Sequence, residues 1–149
     1  MPDNAFAYSG RAYAYKQKGN FDRSIQDFNA AIRIKRGYAF AYTGRGNAYH
    51  NKGLYDRASR DYDEAIRFEP EFVFNYRLRG DADLKKGLYD RAITDYDTAI
   101  RLKPDSAIAF YDRAIAYYSM GLFDNVIKSY DQSIRLNPDY SAYLTRGML

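Results

Sequence analysis

The groups in this sequence that could do chemistry are few and badly spaced for it. His50 is the single histidine, and there is no cysteine. One imidazole without a thiolate or a clustered set of carboxylates makes no metal site, so His50 reads as an ordinary surface or groove residue. Asp61, Asp63 and Glu64 stand close together, but side chains one or two positions apart on a helix diverge. The recurring glycines end helices and follow no strand, so they form no phosphate-cradling loop. Nothing here assembles a nucleophile, a base and an oxyanion donor. The chain reads as a non-enzyme with no cofactor and no small-molecule substrate.

Two other sets of residues have a regular spacing. Arg11, Arg45, Arg79 and Arg113 recur at intervals of 34, and could form a ladder for phosphate or acidic peptide. Asp27, Asp61 and Asp95 keep the same interval, so an arginine–carboxylate fork within each unit is the preferred account. Ser129 takes the aspartate's place in the fourth unit, which leaves Arg113 as the arginine expected to be free. The 17 tyrosines could stack on nucleic-acid bases, but aromatic residues at a fixed helical spacing are expected in the core.

The elements that position these residues follow from the same interval. Gly19, Gly53, Gly87 and Gly121 repeat every 34 residues, as do Asp22, Asp56, Asp90 and Asp124, and Ile32, Ile66, Ile100 and Ile134. In one unit Tyr42, Arg45, Gly46 and Tyr49 recur at helical steps, Gly53 ends that helix, and a second helix runs from Tyr55 to about Phe68 before Pro70. Such helix hairpins cannot bury their apolar faces alone and must stack. Small residues mark the close contacts: Ala12, Gly46, Gly80 and Ala114; Ser24, Ala58, Ala92 and Val126; Ala31, Ala65, Ala99 and Ser133. Tyr8, Tyr42, Tyr76 and Phe110, with Phe28, Tyr62, Tyr96 and Tyr130, are the expected interlocking core.

The run Tyr42-x-x-Arg45-Gly46-x-Ala48-Tyr49-x-x-x-Gly53-x-Tyr55-Asp56-x-Ala58, continued by Asp61-Tyr62, Ala65-Ile66, Phe68 and Pro70, resembles the tetratricopeptide repeat. The resemblance implies an all-α fold: an α-solenoid, a right-handed superhelix of about four helix hairpins plus a short C-terminal helix. One domain is expected over 1–149, with repeats at approximately 5–38, 39–72, 73–106 and 107–140 and a partial helix at 141–149. The pattern is broken at three places. Arg36 replaces the closing proline, so a less sharply turned first junction is expected. Asp83 replaces the tyrosine found at Tyr15, Tyr49 and Tyr117, and Arg79 is its expected partner. Asn125 and Val126 make the last helix the least regular.

The resemblance also implies that the first helices line a concave groove for peptides. Its rows would be Phe6, Phe40, Phe74 and Ile108; then Thr43, Arg77 and Tyr111 with Ser9; then Tyr13, Asn47, Asp81 and Ile115. The expected function is a scaffold or adaptor holding a protein or peptide ligand. A self-assembling structural module is the alternative, and a nucleic-acid-binding helical repeat ranks below both. The clamp that other repeats close on chaperone C-termini needs Lys, Asn and Arg where this chain has mostly Ser9, Tyr13, Gly44, Phe74 and Leu78, or Thr43, Ile108 and Asp112; only Asn47 agrees. The opening Met1-Pro2-Asp3-Asn4 lacks a secretory signal's pattern and no run of about 18 apolar residues occurs, so a cytoplasmic chain with no membrane contact is expected. The register slips after Pro138, and apolar Tyr143, Leu144, Met148 and Leu149 suggest a homo-oligomer formed through the C-terminal end.

Overall fold

The structure is a computed structural model that describes residues 4–140. Among the described residues it contains eight helices, α1 (Ala5–Gln17), α2 (Phe21–Ile34), α3 (Ala39–Asn51), α4 (Tyr55–Phe68), α5 (Val73–Lys85), α6 (Tyr89–Leu102), α7 (Ala107–Ser119) and α8 (Phe123–Leu136), then a short 3-10 turn at Pro138–Tyr140. The C-terminal helix expected over 141–149, with Leu144 and Leu149, lies outside the described residues.

Each hairpin turn rests on one glycine. Gly19, Gly53, Gly87 and Gly121 have φ between 73° and 76°, the left-handed region that glycine enters without a Cβ clash. At Gly53 the backbone N–H donates to the His50 carbonyl and that of Leu54 to the Tyr49 carbonyl, both at 2.9 Å. These two bonds satisfy carbonyls that the end of α3 would leave open. The chain re-enters a helix at once, because Leu54 serves both as the last residue of the turn and as the cap of α4.

Consecutive helices pack along the whole order, and α1 also meets α3, α3 meets α5 and α5 meets α7. The odd-numbered helices therefore form an inner wall and the even-numbered ones an outer wall, which is the layout of an α-solenoid. The alanines and serines at the three small positions are fully buried and Val126 nearly so. At Gly46 an added Cβ would lie 2.6 Å from the Tyr62 ring, and at Gly80 it would lie 2.7 Å from Tyr96. The tyrosine core thus depends on these glycines: a large ring faces a bare backbone. Phe28, Tyr62 and Tyr96 are fully buried, whereas Tyr130 at the same position of the last hairpin is only half-buried.

Two sequence expectations are corrected here. The junction at Arg36 turns like the others: Lys35 has φ −128° and ψ 89°, against −132° and 75° at Glu69 and −137° and 86° at Lys103. Proline fixes its own φ, but the turn is already closed by a backbone bond from Tyr38 to Lys35 that recurs as Phe72 to Glu69 and Ser106 to Lys103. The helix carrying Asn125 and Val126 is also regular, with the 14 residues of its counterparts.

Candidate functional site

The inner wall carries an apolar row. Phe6, Phe40 and Phe74 are 62%, 48% and 43% exposed, and Ile108 is half-buried at the fourth position. Each is the second residue of its odd-numbered helix. Between α1, α3 and α5 lies a cavity of about 490 Å³ lined by Tyr13, Phe40, Asn47, Phe72 and Phe74, with Lys16 and Glu69 at its polar edge. Phe72 stands edge-on to Phe74 with ring centroids 6.1 Å apart, and Tyr38 packs against Phe40 at a shallower tilt of 32° with centroids 5.8 Å apart. Phe72 and Tyr38 belong to the site although the sequence rows omit them. Both sit at the junction just before a helix, and their shared interval of 34 was the available signal.

The polar rows are less free than the sequence suggests. Thr43 is buried, its hydroxyl 3.1 Å from the Ala39 carbonyl and 2.7 Å from the Asn75 amide. It braces α3 against α5 and also lines the cavity. Asn47 accepts a hydrogen bond from the Tyr62 hydroxyl at 2.8 Å, and Asp81 accepts one from Tyr96 at 2.7 Å. Each buried tyrosine therefore reaches through its own hairpin to fix a groove residue, which satisfies the phenol that packing alone would strand. Tyr13 is exposed and holds Lys16 over its ring, Tyr111 packs near Tyr130, and Ile115 is half-buried.

Farther along the groove, Arg77 pairs with Asp112 at 2.7 Å across α5 and α7. Burial pushes Asp81 and Asp112 up from the usual carboxylate range, and the neighbouring Asp81 charge helps bring Asp112 to about 6. Asp112 bonds the Arg77 guanidinium, and Asp81 feels only its charge, in a partly desolvated place. His50 is half-buried, edge-on to Tyr55, and burial lowers its pKa.

The regular arginines are bridges. Arg11 meets Asp27, Arg45 meets Asp61 and Arg79 meets Asp95, each through a two-pronged contact of 2.6–2.8 Å. Burial raises Asp61 and Asp95, and their arginines oppose that rise. The expectation that Arg113 is free fails: its guanidinium donates to Ser129 at 3.2 Å and to Asp97 at 2.6 Å. The second contact belongs to a further set, because Arg45 reaches back to Asn29 and Arg79 to Asp63 in the same way. Arg79 is thereby fully engaged, and Asp83 is held instead by Arg91 at 3.2 Å, by Lys86 at 3.5 Å and by the Ser59 hydroxyl at 3.4 Å. Asp61, Asp63 and Glu64 point to separate arginines, Arg45, Arg79 and Arg67. Among the described residues no three His, Asp or Glu side chains are grouped to hold a metal, and no helix is long and apolar enough to cross a membrane.

Comparison with curated proteins gives no match. Among solved structures, a crystal structure of MamA is similar with a TM-score of 0.88 at 22% identity, covering 95% of this chain and 83% of that one. The first TPR of Spaghetti (RPAP3) bound to the HSP90 peptide SRMEEVD has a TM-score of 0.77 at 18% identity, covering 81% of this chain and 96% of that one. The second TPR domain of human RPAP3, in complex with the HSP70 peptide SGPTIEEVD, has a TM-score of 0.73 at 22% identity, covering 75% and 93%. At these identities the likeness is one of fold. A family model described as TPR repeat matches residues 12–53 and 80–121, and another described as tetratricopeptide repeat matches residues 39–72 and 107–140. With the helix hairpins, the glycine turns and the inner aromatic wall in place, the chain belongs to the tetratricopeptide repeat family.

Proposed function

We propose that this chain is a non-catalytic scaffold that holds a segment of a partner polypeptide along its inner wall. The observation that carries the reading is the exposed row Phe6, Phe40 and Phe74, beside a cavity of about 490 Å³ that Phe72 and Tyr13 help to line. Exposed aromatic side chains around a concavity are the usual anchors of peptide recognition, and contiguous apolar patches on a surface usually mark interaction sites. Arg77, Asp81, Asp112 and Asn47 supply orientation along the groove. Peptide complexes of structurally similar RPAP3 domains support a peptide ligand in general. The ligand is of another kind here, because the groove sets phenylalanines and carboxylates where a carboxylate-binding clamp needs Lys and Arg. The acidic pair and the mixed charges also argue against nucleic acid, whose phosphates need a basic track.

The test is selection of peptides from a displayed random library on the full chain, followed by calorimetric titration of a selected peptide. Phe40→Ala with Phe74→Ala should weaken binding by roughly tenfold or more, the usual cost of losing an anchor, while helicity is kept. Equal affinity in the double variant would move the ligand off this wall.

A further inference from the structure

The cavity over α3 has unlike charges on its two sides. On the α1 side, the Lys16 ammonium rests 4.8 Å from the centre of the Tyr13 ring, and the Lys35 ammonium lies 4.9 Å from the centres of both the Phe6 and Tyr38 rings. On the α5 side, Glu69 lines the cavity and exposed Glu71 stands one residue before Phe72. Lys35 and Glu69 are 34 residues apart, as are Tyr38 and Phe72. The same aromatic junction thus occurs twice, once with a cation and once with an anion.

Among the described residues none of these four charges is in an ion pair. Other charges of the groove are engaged: Arg77 pairs with Asp112, and Asp81 accepts from the Tyr96 hydroxyl. Lys16 and Glu69 line one cavity without meeting, because Phe40, Phe72 and Phe74 occupy the wall between them. An aromatic face attracts an ammonium but offers it no acceptor lone pair, so the N–H groups of both lysines stay available to a carboxylate. Glu69 and Glu71 likewise keep their acceptor sites open.

We infer, resting on the reading of the inner wall as a peptide groove, that it selects a partner segment of one charge pattern: a large apolar residue with an acidic residue on one side of it and a basic residue on the other. The apolar side chain enters between Phe40 and Phe74, the acidic residue faces Lys16 and Lys35, and the basic residue faces Glu69 and Glu71. An extended strand sets residues two apart on one face, about 7 Å along, so flanking charges at that spacing straddle a cavity of about 490 Å³. A segment acidic on both sides meets the glutamates with like charge, and one basic on both sides meets the lysines, so both are disfavoured. A clamp for an acidic chain end would need cations alone.

The chain has no tryptophan, so the fluorescence of a peptide with one central tryptophan reports its binding alone. Four such peptides are titrated with the full chain at low salt: acidic on both flanks, basic on both, serine on both, and acidic on one flank with basic on the other. The last should bind tightest, by roughly two- to fivefold over the serine peptide for each matched flank, and salt at about 1 M should remove the advantage. Lys16→Glu with Lys35→Glu should move the preference to the doubly basic peptide, and Glu69→Lys with Glu71→Lys to the doubly acidic one. None of the four side chains is buried, so circular dichroism should show unchanged helix content. Equal binding of the mixed and serine peptides, or a ranking that the variants leave unchanged, would overturn the inference and leave the groove standing. Failure of all four peptides to bind would also overturn it, and peptides selected from the random library then judge the groove by themselves. An affinity that falls as protein concentration rises would give the groove to a second copy of the chain, and overturn the inference as well.

Discussion

The same substitution placed 34 residues apart should change stability in opposite directions. Gly10 and Gly44 occupy one register position on α1 and α3. Glycine within a helix costs about 1 kcal/mol relative to alanine. Gly10→Ala meets nothing within 4 Å, so it should stabilise the isolated chain by about 1 kcal/mol. At Gly44 the new methyl would lie 2.2, 2.5 and 2.8 Å from three carbons of the Phe28 ring, which is fully buried and has nowhere to retreat. Overpacking costs roughly 1–3 kcal/mol, and contacts this short put the change at the upper end. After the helix-propensity gain of about 1 kcal/mol is subtracted, Gly44→Ala should destabilise by about 2 kcal/mol. The two variants should thus differ by about 3 kcal/mol, or roughly 6–12 °C in melting temperature for a chain of this size. Thermal and urea unfolding followed by circular dichroism gives both values. Shifts of the same sign at the two sites would refute the ring-over-glycine account of the junction.

The bridges offer a second contrast: Arg79→Ala leaves buried Asp95 without its partner and should cost about 3–5 kcal/mol, while Arg11→Ala, at an exposed guanidinium that water screens, should cost less in urea unfolding. Asp112 predicts a slope in stability against pH. Its pKa rises from 3.8 unfolded to about 6 folded, so the folded state takes up the proton first, and this group's contribution to stability grows as pH falls through about 6 and shrinks as pH rises through it. Asp112→Asn should reduce that slope in urea unfolding measured between the two values, and the slope that remains belongs to Asp81. His50 acts with the opposite sign. Burial lowers its pKa, so its contribution is lost as pH falls below the ordinary histidine value, and His50→Gln should reduce that acid loss. Lys52 pairs with Asp22 across the first junction between hairpins and Lys86 with Asp56 across the second, whereas Met120 holds that position at the third. Met120→Lys restores the missing ion pair by reaching Asp90, and should add a few tenths of a kcal/mol that 1 M salt removes.

The hairpins were legible because one interval carried glycine, alanine and arginine together, and each has a local physical meaning: a left-handed turn, a close approach, a fork for a carboxylate. The three bridges within hairpins could be read for the same reason, since donor and acceptor kept one spacing of 16. What escaped lies between hairpins. Arg113 looked free only because its partner was sought in its own unit, while Asp97 of the preceding unit receives it. Arg79 was assigned to Asp83 by helical proximity, but two better-placed carboxylates compete for it, and Asp83 turns to Arg91 on the next helix. Thr43 lines the groove cavity, but its hydroxyl is held by Asn75, which replaces the small residue found at Ala41 and Ala109 and has no counterpart in the repeat pattern. Periodicity places a residue on a helix face; it does not say which neighbour claims the side chain.

The double grip of the inner arginines bears on how the array comes apart. Arg45 and Arg79 each tie two helices of one hairpin and at the same time hold the hairpin before it. The internal stability of a unit and its attachment to a neighbour are then carried by one side chain, so these units cannot loosen one at a time without breaking both. The last hairpin is held differently: Arg113 finds a serine in place of the carboxylate, and Met120 makes no tie to Asp90. Opening should begin at α7 and α8 and stop at the third junction, with amides of those two helices exchanging at a lower free energy than those of α3 to α6. The chain would behave as a firm middle with a detachable final hairpin.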